Sequence, residues 1–287
     1  MPSARRLTVL LLLPLAACGQ GVLDPAGPVA AGEKTILLNS LAIMLAIIVP
    51  TIIATLAFAW WFRAGNTRAR YRPDWAYSGQ LELLVWSIPL LAVIFLAGIG
   101  WVGSHQLEPS RPLASRQPAL QVQVVSLDWK WLFIYPDQGV ATINRLVIPA
   151  GRPVAFRITS ATVMNSFFVP QLGSQIYAMS GMDAKLHLQA DKPGRYRGLS
   201  AHYSGAGFAD MGFAVDAVPP QQFAQWAATT RGAGPVLDGR AFLTLAARAE
   251  AMAPTSFRAV QPGLYDAVVR QAGAPVHEQV RHAGRED

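Results

Sequence analysis

Two apolar runs, residues 36–62 and 83–102, carry no charged side chain, and the pattern changes character beyond them. Each is long enough to cross a bilayer as a helix, which takes about 20 residues. Pro50 and Pro89 fall inside the runs, where a packed membrane helix tolerates proline as a kink. After a polar, proline-containing linker at 108–118, apolar residues alternate or come in short bursts. Residues 120–125 alternate at period two, and 129–135 are nearly all apolar before the turn signal Pro136-Asp137-Gln138-Gly139. Further strands are expected at 144–148, 154–159, 166–169, 184–189, 195–199 and 212–218. Many short strands with turns at this spacing predict a sandwich of about 100 residues. Helical spacing returns at 221–230, 239–252 and 264–272, with an irregular aromatic stretch at 255–265.

Composition supports a membrane protein with a globular part. Of 287 residues 52% are hydrophobic and 14% charged, and the mean hydropathy is +0.28. The net charge of +7 does not gather into a nucleic-acid surface. Four of the arginines, Arg63, Arg68, Arg70 and Arg72, lie between the apolar runs. By the positive-inside rule that loop is cytoplasmic and both termini lie outside. The bulk of the chain, from about residue 105, is then extracytoplasmic.

The N-terminus agrees with this orientation. Arg5 and Arg6 precede an apolar stretch at 7–15, followed by Ala16, Ala17 and the single cysteine, Cys18. This predicts a signal peptide at 1–17. A cysteine in this place resembles a bacterial lipobox, which implies lipidation of Cys18; an ordinary signal peptide with a cysteine near its end is the alternative. Segments are expected as follows: 18–35 extracytoplasmic, 36–104 a membrane hairpin, 118–218 the sandwich, 219–274 a helical aromatic-rich region, and 275–287 a charged, mobile tail. Glu82 opens the second span. It reads either as an interfacial carboxylate favoured at a helix N-terminus or as a proton-entry group at a membrane mouth.

The order of two spans, an outer sandwich, Asp128-Trp129-Lys130-Trp131, and a glycine-rich loop closed by Met211 resembles subunit II of the haem-copper respiratory oxidases. In the cytochrome c branch of that family, a cupredoxin sandwich holds two coppers with an early histidine and a C-x-x-x-C-x-x-x-H-x-x-M loop. Aligned on Met211 and Gly205, the cysteine positions hold Ser200 and Ser204, the loop histidine position holds Phe208, and the early histidine falls on Asn165. Of the side-chain ligands only Met211 survives, and it reads as a core methionine. His202 is the one histidine inside the loop. With Met211 it could bind copper weakly, but a usable site needs several converging ligands, so a polar loop residue is the expected role.

The run 164–182, the 200–211 loop and the aromatic stretch 257–265 are similar to one branch in particular, subunit II of the cytochrome bo-type ubiquinol oxidases. The resemblance covers nearly the whole chain. It implies a two-helix transmembrane hairpin, an all-β cupredoxin-like sandwich without copper ligands, and a short α-helical C-terminal extension. It also implies a proton-pumping enzyme in which ubiquinol in the membrane reduces haem in subunit I. This chain would then hold no redox cofactor or metal, the haems and copper residing in subunit I. Subunits I, III and IV are the expected partners, with neither cytochrome c nor nucleic acid. The bacterial inner membrane is the expected location, with the sandwich periplasmic. The resemblance further implies that Glu82 stands at the entrance of a proton path, and that Trp129 and Trp131 serve packing and contact with subunit I. Two other readings remain: a lipoprotein acting only as a structural or assembly module, and a cytochrome c oxidase subunit II, which the missing ligands disfavour.

Overall fold

A computed structural model describes residues 21–70, 72–247 and 252–272; the signal-peptide region, Cys18 and the 275–287 tail lie outside the described residues. Contacts divide the chain into two units, Gly32–Leu107 and the remainder. In the first, α1 (Pro28–Trp61) and α2 (Gly79–Gln106) are both long and apolar enough to span a membrane. α1 begins before the apolar run, at Pro28, because proline fits the first turn of a helix and the polar residues that follow do not interrupt the winding. Thr51 and Thr55 donate their hydroxyls to the carbonyls of Ile47 and Thr51, at 2.7 and 2.8 Å, so neither is left unsatisfied in an apolar setting.

The second unit is a sandwich. Its larger sheet runs β12-β3-β2-β1-β5-β8 and its smaller β4-β10-β9-β6-β7. The strands of the larger are β1 (Leu120–Leu127), β2 (Lys130–Tyr135), β3 (Val140–Ile143), β5 (Val154–Ser160), β8 (Ala184–Leu188) and β12 (Thr255–Phe257). Those of the smaller are β4 (Arg145–Pro149), β6 (Asn165–Val169), β7 (Gly173–Ala178), β9 (Gly194–Ser200) and β10 (Gly212–Val218). Neighbours pair antiparallel except β1 with β5 and β4 with β10.

Strand chemistry follows from which faces are covered. In β2, Trp131, Phe133 and Tyr135 enter the core between the sheets, while Leu132 and Ile134 face a second core on the other side. Both faces are buried, so the strand is apolar throughout rather than alternating. The second core is supplied by the C-terminal region: α3 (Pro220–Gly232), β11 (Val236–Leu237), α4 (Gly239–Ala246), β12, β13 (Ala259–Val260) and α5 (Leu264–Ala272). Of these, Leu237, Phe242, Leu245, Phe257, Leu264, Tyr265 and Val268 pack there, whereas Phe223 of α3 joins the core between the sheets. The expected irregular stretch at 255–265 therefore contains two short strands, one of which extends the larger sheet beside β3.

Polar contacts fasten this extension. Arg157 on β5 donates to both carboxylate oxygens of Asp183 and, at 3.0 Å, to Asp266 on α5. The Tyr265 hydroxyl donates to Asp183 at 2.8 Å, and the Arg157 guanidinium lies 4.8 Å from the Tyr265 ring centre. Burial, then the Asp183 hydrogen bond, raises the Tyr265 pKa above its ordinary value. Burial likewise raises that of Tyr135, whose hydroxyl accepts from the Val147 N–H at 2.8 Å.

Both phenols keep their protons in the folded chain at pH values where an unfolded tyrosine, with a pKa near 10, loses them. Stability is therefore full below about pH 10 and declines as pH rises toward the raised values, because the folded state binds more protons there. We expect the Tyr135→Phe/Tyr265→Phe variant to be less stable at pH 7, by about 1–3 kcal/mol per lost buried hydrogen bond. It should lose less between pH 9 and 11 than the parent in denaturant unfolding of the full chain in detergent. Equal losses would contradict the assignment.

Candidate functional site

The residues singled out by sequence on the sandwich converge at one end of the smaller sheet. Asn165 opens β6 and Ser200 closes β9, and both side chains are buried. The Ser200 Oγ lies 3.1 Å from Asn165 Oδ1 and 3.3 Å from the His202 carbonyl oxygen, and a hydroxyl has one proton to give to either. The Asn165 amide donates to the Val163 carbonyl at 3.3 Å. Ser200 N–H donates to the Met211 carbonyl at 3.2 Å, closing the base of the loop.

Within the loop, a single 3-10 turn (Ala206–Asp210) carries Phe208, which packs edge-on against Tyr203 at 5.6 Å between ring centres. The Ser204 hydroxyl lies 3.8 Å from the Met211 sulfur. Met211 is 1% exposed and belongs to the core, as its apolar setting predicts. His202 is half-buried and meets the ring of Tyr177 edge-on at 6.0 Å.

Trp129 fastens this loop, and its place differs from the strand position expected of it. It sits in the β1–β2 turn with φ of 60°, an uncommon conformation for a bulky residue. The turn swings its indole across the loop, where Nε1 donates to the Ser204 carbonyl at 3.1 Å. Gly207 lies directly against the ring: a Cβ there would fall 2.4 Å from a ring carbon. Trp131, two residues on, is instead wholly buried between the sheets. Lys130 points the other way, and its Nζ donates to the Ala247 carbonyl just after α4, at 2.7 Å. Burial lowers its pKa.

Sequence reasoning overlooked Asn144. It adopts φ of 54° between β3 and β4, accepts the Trp131 N–H on Oδ1 at 2.9 Å and donates to the Met252 carbonyl at 2.8 Å. An asparagine between two apolar strands is the signal that could have marked it, since asparagine tolerates that conformation.

Glu82 belongs to the membrane unit. It lies in the first turn of α2, its backbone N–H donates to the Ser78 carbonyl at 3.0 Å, and its side chain is exposed. That position suits a carboxylate at a helix N-terminus.

The family model described as cytochrome C oxidase subunit II, periplasmic domain, matches residues 137–218. "Ubiquinol oxidase subunit 2" of Acetobacter aceti is 48% identical over 259 residues, 89% of this chain and 83% of that protein. "Cytochrome bo(3) ubiquinol oxidase subunit 2" of Pseudomonas putida is 43% identical, over 98% of this chain and 90% of that protein.

The chain belongs to the ubiquinol oxidase subunit 2 family.

It is thus a component of an oxidoreductase complex, with an apolar helical hairpin and a cupredoxin-like outer domain that fit a bacterial inner-membrane protein. Among solved structures, the periplasmic domain of subunit II of cytochrome oxidase (CoxB) of Bradyrhizobium japonicum is similar at 25% identity. That match covers 40% of this chain and 96% of that one, with a TM-score of 0.38.

The donors at the positions where the cytochrome c branch holds a dinuclear copper centre are of another kind. They are two hydroxyls, a carboxamide and a thioether, already engaged with one another and with backbone. Copper in such a centre needs thiolate and imidazole, so this donor set does not fit it. Among the described residues, no three His, Cys, Asp or Glu side chains converge as metal ligands.

Because the indole of Trp129 occupies the space beside Gly207, Gly207→Ala should push the two apart, costing about 1–3 kcal/mol. Amide hydrogen exchange at 200–211 should speed up while exchange in β1 and β5 stays unchanged. Unchanged exchange in the loop would show that the contact does not fasten it.

Proposed function

We propose that this chain is the non-redox subunit II of a proton-pumping terminal ubiquinol oxidase, supporting a subunit I in which ubiquinol is oxidised and oxygen reduced to water. The observation that carries the reading is the self-satisfied Asn165–Ser200 pair, with Ser204, Phe208 and Met211, at the positions where the cytochrome c branch needs copper ligands. A water-soluble donor needs an acceptor at the outer domain. A donor dissolved in the bilayer does not, and can deliver electrons within the membrane. The names of the relatives support the same reading.

In this proposal the sandwich is periplasmic, Cys18 is lipidated, and subunits III and IV complete the complex. Glu82 collects protons at the cytoplasmic mouth of α2 and passes them toward subunit I. Its exposure and its place at the helix start support that role.

Two experiments test the proposal. The purified complex should consume oxygen with ubiquinol and not with reduced cytochrome c, and should contain one copper, bound in subunit I. Turnover on cytochrome c with three coppers would overturn it. Separately, Glu82→Ala should slow ubiquinol oxidation by about tenfold or more, the range expected on losing a proton-transfer group, with haem content and assembly unchanged. Full activity in that variant would leave the chain a purely structural subunit.

A further inference from the structure

The segment joining the two membrane helices has a chemistry that neither the sandwich nor Glu82 uses. Arg63, Arg68, Arg70 and Arg72 fall within ten positions, and Asp74 is the one acid nearby. The segment is folded on itself. Arg63 donates from Nη1 to the Trp60 carbonyl at 2.8 Å and lies 4.8 Å from the Trp60 ring centre. Asn66 donates its amide to the Trp61 carbonyl and accepts the Arg68 N–H on Oδ1 at 3.2 Å. These contacts shape an open cleft of about 860 Å³ lined by Trp61, Phe62 and Trp75 together with Arg68, Arg70 and Arg72. Among the described residues, none of the four arginines forms an ion pair with a carboxylate.

We propose that this cleft binds the phosphate headgroup of an anionic phospholipid. Clustered guanidinium groups with no carboxylate partner repel one another, and an anion relieves that repulsion. The planar fork of arginine matches phosphate oxygens, which a single guanidinium can bind with two hydrogen bonds. The aromatic members of the cleft point to lipid rather than to free phosphate. Tryptophan and phenylalanine beside arginine, directly after the apolar length of α1, are the composition of a headgroup-level belt. Phe58, Trp60, Trp61 and Phe62 are all exposed on the adjoining helix end, an apolar surface for the acyl chains below a bound headgroup. Basic side chains at this depth each add to attraction for anionic lipid. The site is separate from Glu82, so failure of the Glu82 test leaves it standing.

The test uses the whole oxidase complex in nanodiscs doped with photoactivatable lipid. One arm carries phosphatidylglycerol and the other phosphatidylcholine, each with the reactive group near the phosphate. Labelled peptides are mapped by mass spectrometry. Labelling of residues 63–75 by the anionic lipid should exceed that by the zwitterionic lipid by about tenfold or more. It should fall by a similar factor in Arg68→Gln/Arg70→Gln/Arg72→Gln and persist in the corresponding lysine variant. Equal labelling by the two lipids, or unchanged labelling in the glutamine variant, would overturn the proposal. So would a cross-link from this segment to an acidic stretch of another subunit in place of lipid. Should the glutamine variant fail to assemble, the comparison of the two lipids on the unaltered complex decides alone.

Discussion

The two sheets of the outer domain are held together by a cluster of aromatic rings, and the 200–211 loop end of the domain depends on that contact. Trp131 and Phe133 come from β2, Phe167 from β6 and Phe213 from β10. Phe167 and Phe213 stack at 5.2 Å, and Trp131 meets Phe167 edge-on at 5.5 Å. Each such pair contributes about 0.5–1.5 kcal/mol beyond the area it buries. Phe213 can lie flat over β9 because Gly198 has no side chain; a Cβ there would fall 2.1 Å from the ring. The register that results places Phe167 opposite Ser200 and Phe168 opposite Leu199, so the start of the 200–211 loop is set by core packing.

The same packing explains how the loop keeps a definite shape through contacts of its own. Its base is closed by the Ser200–Met211 backbone bond, its interior by the Ser200–Asn165 pair, and its outer side by the indole of Trp129. The left-handed backbone at Trp129 costs on the order of 1–2 kcal/mol. The indole hydrogen bond and the close contact with Gly207 offset that cost. Asn144 ties the neighbouring strands together: its side chain takes the N–H of Trp131, and its carbonyl accepts from Ala214 beside Phe213. One aromatic layer therefore links the turn, the loop and the C-terminal extension through Met252.

Much of this was legible in the residues. The period-two pattern located β1, and the expected range of β10 matches the observed strand. The glycines and Met211 located the loop. β3 and β7 were missed for different reasons. β3 is a four-residue strand set directly after the 136–139 turn and separated from β4 by Asn144 alone, so the pattern shows a strand only from 144 onward. β7 lies at an edge with exposed polar positions, so it lacks an apolar signature. β12 and β13 exist only because a partner strand is available, a property local pattern does not carry. The left-handed turn at Trp129 left no mark either, since tryptophan is a poor candidate for that conformation. Four arginines in the connecting segment were plain as charge, but the cleft they share depends on hydrogen bonds of Arg63 and Asn66 back to the end of α1.

The hairpin shows the opposite economy from the sandwich. Its large apolar side chains are exposed along nearly the whole length of both helices. The helices touch closely where Gly103 lets Ile36 approach and where Leu107 packs on Gly32, near one end. In lipid, apolar side chains gain nothing by leaving the hydrocarbon, so such helices associate by close packing and hydrogen bonds rather than by the hydrophobic effect. Two helices that meet over so short a length have little to hold them to one another, and their definition in the membrane must come from lipid and from neighbouring helices. A hairpin built this way offers surface instead of core. Charged side chains are kept to its ends, Glu82 and the arginine segment among them, so that the apolar length between stays free to meet lipid and other helices.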